Sequence, residues 1–150
     1  MSTMQIAVVT GEQEIYRGEA EEVIAPGVEG EMGILPHHAA LLTALKAGEM
    51  RIKLGSAEDD LFVSGGFLEV YNNTVTVLAD AAEHAEEIDR TRADEARRAA
   101  QARLADAKDE RERGVASLEL ERAVVRLRIV ETTRRRGNRR IQSLAGGQEE

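Results

Sequence analysis

Short apolar runs alternate with turn residues through the first half of the chain. Residues 73–78 (NTVTVL) set Val75 and Val77 against threonines, which is the period-two pattern of a strand with one buried face. Similar segments predict strands at 4–10, 14–25, 50–54, 61–64 and 67–71. Periodicity alone does not assign the apolar run at 41–45, but its length favours a strand. Gly, or the Asn72-Asn73 pair, which is predicted to form a hairpin turn, separates these segments. The separation every 8 to 12 residues or so is typical of an antiparallel sandwich or barrel.

The second half has the pattern of two helices. Residues 89–109 are almost entirely Ala, Arg, Asp, Glu, Gln and Leu, and Asp89 is the expected N-cap. The apolar face of this first helix follows helical spacing and consists of Ala93, Ala96, Ala100, Leu104 and Ala107. A polar turn is expected at 108–114. The second helix then carries a matching face of Ala116, Leu120, Ala123, Leu127 and Val130.

Both helical faces are mostly alanine, so they permit close approach but bury little apolar area. We therefore expect the hairpin to be attached weakly and reversibly. Leu118, Val125 and Ile129 form a second apolar strip on another side of the second helix. A small hairpin cannot bury both strips against itself. The second strip either packs on the β domain or is an alternative docking site for a partner.

Charge and glycine content divide the chain at the same place. Residues 1–85 carry 14 acidic and four basic side chains, whereas residues 86–150 carry 14 and 16. The acidic front half should repel nucleic acid and anionic lipid, so its expected partner is protein. Nine of the 13 Gly also precede residue 72. We predict a β domain at 1–85, either a sandwich or a barrel, a helical hairpin at 86–136 and a flexible tail at 137–150.

The sequence offers little support for catalysis. It contains no Cys, no Walker loop and no Ser/His/Asp arrangement. The glycines of residues 27–33 (GVEGEMG) are interpreted as turns and bulges, because no Lys-Ser/Thr follows them. His37 and His38 would point to opposite faces of an extended segment, so no metal site is predicted. No apolar run approaches the ~20 residues that cross a bilayer, so the chain is not expected to be embedded in a membrane.

Three arginines at the base of the predicted hairpin are suited to hold a polyphosphate. Arg122 and Arg126 are four residues apart on one helical face, and Arg92 lies one turn into the first helix. Guanidinium groups bind phosphate bidentately. The alternative is that they form salt bridges to acidic side chains, namely Asp89, Glu119 or Glu121.

Three separated segments resemble the epsilon subunit of bacterial F-type ATP synthases. They are GEMGILPHHAALLTALKAGEM at 30–50, VSGGFLEVYNNTVTVLAD at 63–80 and IDRTRADEA at 88–96. The resemblance covers about residues 4–132, and the basic run at 134–140 (RRRGNRR) departs from the family's usual short end. It implies a non-catalytic subunit with an N-terminal antiparallel β-sandwich followed by a C-terminal antiparallel two-helix hairpin.

The resemblance also implies partners. The sandwich would join the central stalk and contact the gamma subunit and the rotor c-ring, as a peripheral membrane protein on the cytoplasmic face of the bacterial plasma membrane. The hairpin would either fold onto the sandwich or extend into the hexamer of alpha and beta subunits and block ATP hydrolysis. Arg122, Arg126 and Arg128 match the basic residues of that inhibitory contact.

Some members of the family bind regulatory ATP in the folded hairpin, through the pattern Ile/Leu-Asp-x-x-Arg-Ala. Residues 88–93 (IDRTRA) fit this pattern, so the implied contacts in the motif are Ile88, Asp89, Arg92 and Ala93. Arg122 and Arg126 occupy the accompanying positions on the second helix, and Glu83 matches a further contact. No other cofactor is implied. The alternative function is a free-standing nucleotide-sensing adaptor.

Overall fold

The computed structural model describes residues 2–136. Eight strands come first: β1 Met4–Val9, β2 Glu14–Ala20, β3 Glu22–Gly27, β4 Gly30–Ile34, β5 Leu41–Leu54, β6 Ala57–Tyr71, β7 Thr74–Ala79 and β8 Ala82–His84. A 3₁₀ turn at Ala85–Glu87 leads to the helices α1, Arg90–Asp106, and α2, Glu110–Arg136. The predicted β domain followed by two helices is confirmed, and the predicted tail at 137–150 lies outside the described residues.

The strands form one curved sheet in the order β2-β1-β7-β6-β5-β3-β4, with β8 paired to β6. All paired neighbours are antiparallel except β1 and β7, which run parallel. The predicted antiparallel β-sandwich is confirmed as a sandwich whose sheet is mixed at this one pair, because period-two alternation reveals the buried face and not the strand direction. The sandwich core includes the fully buried side chains of Tyr16, Met50, Ile52, Leu61 and Leu68.

Strands β5 and β6 are longer than predicted because each continues through glycines that were interpreted as breaks. In β6 the core-facing side chains are odd-numbered before the glycine pair, as at Leu61, and even-numbered after it, as at Leu68. Gly65 and Gly66 between them have φ angles of 123° and 134°. A Cβ at Gly66 would collide with the Leu78 carbonyl oxygen. These glycines therefore reverse the alternation without ending the strand.

The glycine-rich segment at 27–33, predicted as turns and bulges, contains strand β4. Strands β3 and β4 pair antiparallel with Gly27 opposite Gly30, so only the two residues between them turn. The predicted strand at 14–25 is likewise divided into β2 and β3. The turn predicted at Asn72 and Asn73 is confirmed by φ angles of 53° and 59°, the left-handed conformation of a tight hairpin.

The turn between the helices is shorter than the predicted 108–114. Asp109 accepts a hydrogen bond from the backbone N–H of Glu112 at 2.8 Å, and the Glu112 carboxylate accepts from the N–H of Lys108 at 2.9 Å. This reciprocal capping satisfies the free N–H groups at the start of α2. Gly114, expected in the turn, therefore lies within the helix.

The alanine faces join α1 to α2. Ala93 and Ala100 of α1 are buried, as are Ala116 and Ala123 of α2, and the two helices pack along each other. Ala96, which was predicted to lie in this face, is exposed. The alanine stripe therefore holds the hairpin together and does not attach it to the sandwich.

The second strip of α2 makes the attachment. Val125 and Ile129, 4% and 2% exposed, belong to a cluster with Phe62 on β6 and with three smaller contributors, Ala47, Ala85 and Ile88. Leu118 is 44% exposed and lies outside this cluster. Packing of the strip on the β domain is thus confirmed for Val125 and Ile129. The docking surface is therefore formed by larger side chains, and not by the alanine faces from which a weak attachment was expected.

Candidate functional site

A cavity of about 340 Å³ opens where β8, the start of α1 and the middle of α2 meet. Its lining consists of Glu83, Glu87, Ile88, Asp89, Arg92, Ala93, Ala96 and Arg126. Six of the seven residues predicted as ATP contacts are therefore neighbours here, and the exception is Arg122. Glu87 and Ala96 were not predicted, because one is an ordinary acidic residue and the other is one of many alanines.

The start of α1 forms one wall of the cavity. Asp89 is the N-cap, as predicted, and its Oδ1 accepts a hydrogen bond from the backbone N–H of Arg92 at 3.1 Å. The Arg92 side chain is exposed and forms no ion pair with residues 2–136. The partial positive charge at a helix N-terminus favours anions. This wall therefore combines a free guanidinium with a favourable helix end.

The opposite wall centres on Arg126. Its Nε donates to Glu83 Oε1 at 2.8 Å, and its guanidinium carbon lies 4.2 Å from the centroid of the Phe62 ring. The sequence analysis did not single out Phe62. A signal was available, because Phe62 lies between two core residues of one strand and must face outward, where an aromatic side chain needs cover.

Arg122 is directed to the sandwich instead. Its Nη2 donates to the Ser64 carbonyl oxygen at 3.3 Å, and its Nε is buried without an acceptor among the described residues. The alternative salt bridges proposed for the three arginines do not form within residues 2–136. Arg126 pairs with Glu83, and the predicted acceptor Glu119 pairs with Arg103.

The charge of the cavity is mixed. Three carboxylates, Glu83, Glu87 and Asp89, face two guanidinium groups, Arg92 and Arg126. One carboxylate already bonds to Arg126, and another caps α1. The donors that remain for an anionic ligand are the Arg92 guanidinium and the terminal nitrogens of Arg126. Arg128, the third residue predicted for the inhibitory contact, is exposed on α2 outside this lining.

A second feature is an apolar row of side chains on the sandwich that face away from its core. Val9 pairs with Leu78, Leu78 with Phe67, and Phe67 with Ala44, so these four side chains form one row across β1, β7, β6 and β5. Leu78 and Phe67 are 53% and 56% exposed, and Leu42 beside them is 73% exposed. We call these five residues the exposed row. A contiguous apolar surface of this kind usually marks a contact with another protein.

Within residues 2–136, no group of three or more His, Asp or Glu side chains is arranged to hold a metal ion. No helix in this part of the chain is both long and apolar enough to cross a membrane.

Comparisons with known proteins cover nearly the whole chain. Residues 3–85 match the family model of the ATP synthase delta/epsilon chain beta-sandwich domain, and residues 86–131 match that of the long alpha-helix domain. The ATP synthase epsilon chain of Dehalococcoides mccartyi is 49% identical over 139 residues, which cover 90% of this chain and 97% of that protein. The ATP synthase epsilon chain of Halorhodospira halophila is 45% identical over 141 residues, which cover 93% of this chain and 100% of that protein.

Solved structures show the same fold. A chain in the cryo-EM structure of the Euglena gracilis mitochondrial ATP synthase superposes with a TM-score of 0.73 at 24% identity, covering 83% of this chain and 79% of that chain. A chain in the cryo-EM structure of the central stalk and c-ring of the Tetrahymena thermophila mitochondrial ATP synthase superposes with a TM-score of 0.58 at 18% identity. The superposition covers 86% of this chain and 97% of that chain. The sandwich and the helices together, matched in sequence over most of their length, show that this chain belongs to the ATP synthase delta/epsilon chain family.

Proposed function

We propose that this chain is the non-catalytic epsilon subunit in the central stalk of an F-type ATP synthase, and that its hairpin regulates ATP hydrolysis. The observation that carries the regulatory part is the cavity, where residues from the sandwich, α1 and α2 meet. Support for the stalk role comes from relatives named ATP synthase epsilon chain that match over nearly their whole length.

The sandwich is the attachment to the rotor. Its exposed row offers Phe67, Leu78 and Leu42 to a protein partner, and the gamma subunit and the c-ring are the partners implied by the family. Complete burial of a large apolar side chain contributes at most about 1.5–3 kcal/mol, and these side chains, still half or more exposed, have part of that contribution left to gain. Association with the membrane is then indirect, through the complex on the cytoplasmic face of the bacterial plasma membrane.

ATP is the ligand of the cavity. Its phosphates lie between Arg92 on α1 and Arg126 on α2, beside the N-terminus of α1. Because one ligand then contacts both helices and Glu83 on β8, it favours the hairpin folded on the sandwich. At ten times its dissociation constant, ATP stabilises the state that binds it by ~1.4 kcal/mol. That free energy shifts the ratio of folded to extended hairpins about tenfold.

Extension of the hairpin produces the inhibition. In the docked state Arg122 and Arg126 bond to Ser64 and Glu83 of the sandwich. Undocking releases both guanidinium groups, which together with the exposed Arg128 present a basic face to the alpha and beta subunits. Docking and inhibition are therefore mutually exclusive, since both use the same arginines.

Isothermal titration of the isolated chain with ATP tests the site. We expect binding by the native chain, and at least tenfold weaker binding after Arg92→Ala or Arg126→Ala. Arg98→Ala is the matched control, because Arg98 lies on α1 but pairs with Asp94 and is absent from the cavity lining. No heat for the native chain would reject the ATP site. Co-purification with ATP synthase from host membranes separates the stalk subunit from a free-standing adaptor.

A further inference from the structure

Phe62 lies on the outer side of the sandwich and is nevertheless fully covered. Its neighbours Leu61 and Val63 belong to the sandwich core, so the alternation of β6 directs the Phe62 ring to the opposite face. The ring is 0% exposed there because Val125 and Ile129 of α2 pack over it. The hairpin is therefore the cover of an aromatic side chain that would otherwise face solvent.

Phe62 and Glu83 are neighbours on adjacent strands. They are directly paired across β6 and β8, so their side chains project to the same face of the sheet, toward α2. Both contact Arg126. The guanidinium carbon lies over the Phe62 ring, 4.2 Å from its centroid, and Nε donates a hydrogen bond to Glu83 Oε1 at 2.8 Å. Phe62 and Glu83 thus form one binding surface for the Arg126 guanidinium, which we call the seat.

We propose that Phe62 is a positioning residue, which together with Glu83 seats Arg126 before any nucleotide is bound. The seat holds the hairpin in its docked state and directs the remaining donors of Arg126 into the cavity. This inference deepens the proposed function, and only its nucleotide part rests on ATP being the ligand of the cavity.

The chemistry of guanidinium explains how one side chain serves both purposes. A cation–π contact uses the flat face of the group, whereas hydrogen bonds use its edge. Glu83 occupies only Nε, and the two Nη atoms of Arg126 make no hydrogen bond to residues 2–136. A phosphate can therefore bind the free edge while Phe62 retains the face. ATP therefore adds contacts to the Nη atoms of Arg126 without displacing its contacts with Phe62 and Glu83.

Distance measurements between spin labels test the seat in the full chain. The chain has no Cys, so Ser56→Cys in the β5–β6 turn and Ser117→Cys on α2, both exposed, give a unique labelled pair. Without ATP, Phe62→Leu should lower the ratio of docked to extended hairpins about three- to tenfold, the range of a partly desolvated cation–π contact. Tyr71→Leu, which also replaces an aromatic side chain of β6 by leucine but at a position that is 66% exposed, should leave the ratio unchanged.

A double-mutant cycle separates a specific contact from general packing. The effects of Phe62→Leu and Arg126→Gln should be clearly less than additive, and Phe62→Tyr, which keeps the aromatic face, should restore most of the ratio. Additive effects, or a Phe62→Leu ratio equal to that of Tyr71→Leu, would overturn the inference. Near-native far-ultraviolet circular dichroism of each variant establishes that the sandwich remains folded.

Titration of the same labelled variants with ATP distinguishes the two proposals. If ATP raises the docked fraction in the native chain and Phe62→Leu weakens that response, both stand. If ATP does not change the docked fraction of the native chain but the effects of Phe62→Leu and Arg126→Gln are less than additive, the ATP site is refuted and the positioning role of Phe62 is supported. If ATP acts equally on the native chain and on Phe62→Leu, the positioning role is refuted and the ATP site survives.

Discussion

The Nη2 group of Arg122 donates a hydrogen bond to the carbonyl oxygen of Ser64 across 3.3 Å. Ser64 is 4% exposed and its hydroxyl bonds to the Ala81 carbonyl oxygen, so the arginine reaches an ordered part of the sandwich. Arg122 therefore belongs to the docking contact in this state and is not part of the cavity lining.

Removal of Arg122 should loosen the hairpin. For Arg122→Ala we expect the ratio of docked to extended hairpins, measured with the Ser56 and Ser117 label pair, to fall at least tenfold. The reason is that a hydrogen bond from a charged donor contributes about 1.5–3 kcal/mol. Arg128→Ala removes the same charge from an exposed site of the same helix and should have no effect. Equal changes in both variants would show that net charge, and not the Ser64 contact, controls docking.

The close approach of α1 and α2 requires alanine at the buried positions of the stripe. Ala100 is 0% exposed, whereas its neighbour Ala99 is exposed. Ala100→Leu should lower the free energy of unfolding by ~1–3 kcal/mol, because added methylene groups force the helices apart. Ala99→Leu should change it by less than ~0.5 kcal/mol. Urea unfolding followed by circular dichroism measures both, and equal stability of the two variants would contradict the packing described.

The exposed row should be needed for assembly. Phe67→Glu places a charge in its centre, and we expect at least tenfold weaker binding of the chain to ATP synthase that lacks this subunit. Gln13→Glu, in the exposed β1–β2 turn, adds the same charge elsewhere on the sandwich. Surface-plasmon binding of both variants measures the difference. Undiminished binding of Phe67→Glu would place the rotor contact on another face.

Asp94 on α1 should titrate below its ordinary range. Arg97 donates to its Oδ1 from Nη2 at 2.7 Å, and this hydrogen bond lowers the pKa of Asp94 from the usual 3.8, with a smaller contribution from the charge of Arg98. Because the pKa is depressed in the folded state, the associated stability is present above pH 3.8 and is lost as the pH falls through the folded value.

Carbon-detected NMR titration of the Asp94 carboxyl group checks this assignment. Arg97→Gln should raise the pKa of Asp94 toward its ordinary value, and Arg98→Gln should raise it less, because Arg97 supplies the hydrogen bond and is the larger cause. A pKa of Asp94 that does not respond to Arg97→Gln would contradict the contact.

The sequence predicted what depends on local pattern. The Asn72-Asn73 turn and the Asp89 cap follow from the chemistry of a few adjacent residues, and both are confirmed. The parallel pairing of β1 with β7 was not predictable, because a strand's alternation contains no information on its neighbour. Seating of Arg126 on Phe62 joins residues far apart in sequence, and only the path of α2 across β6 brings them together.

The motif at 88–93 shows the same limit for the site. Four of its residues line one cavity together with Glu83 and Arg126, namely Ile88, Asp89, Arg92 and Ala93. Arg122 was grouped with Arg126 because four residues separate them on a helix. A shared helical face leaves each side chain free to reach in a different direction, and Arg122 reaches Ser64.

The most direct test of the account is ATP hydrolysis by ATP synthase reconstituted either with the full chain or with a chain that ends after residue 87. The shortened chain retains all eight strands, including the exposed row, and lacks both helices. We predict that it assembles and supports ATP synthesis, and that hydrolysis is several-fold faster than with the full chain. Equal hydrolysis by the two enzymes would contradict the regulatory role of the hairpin.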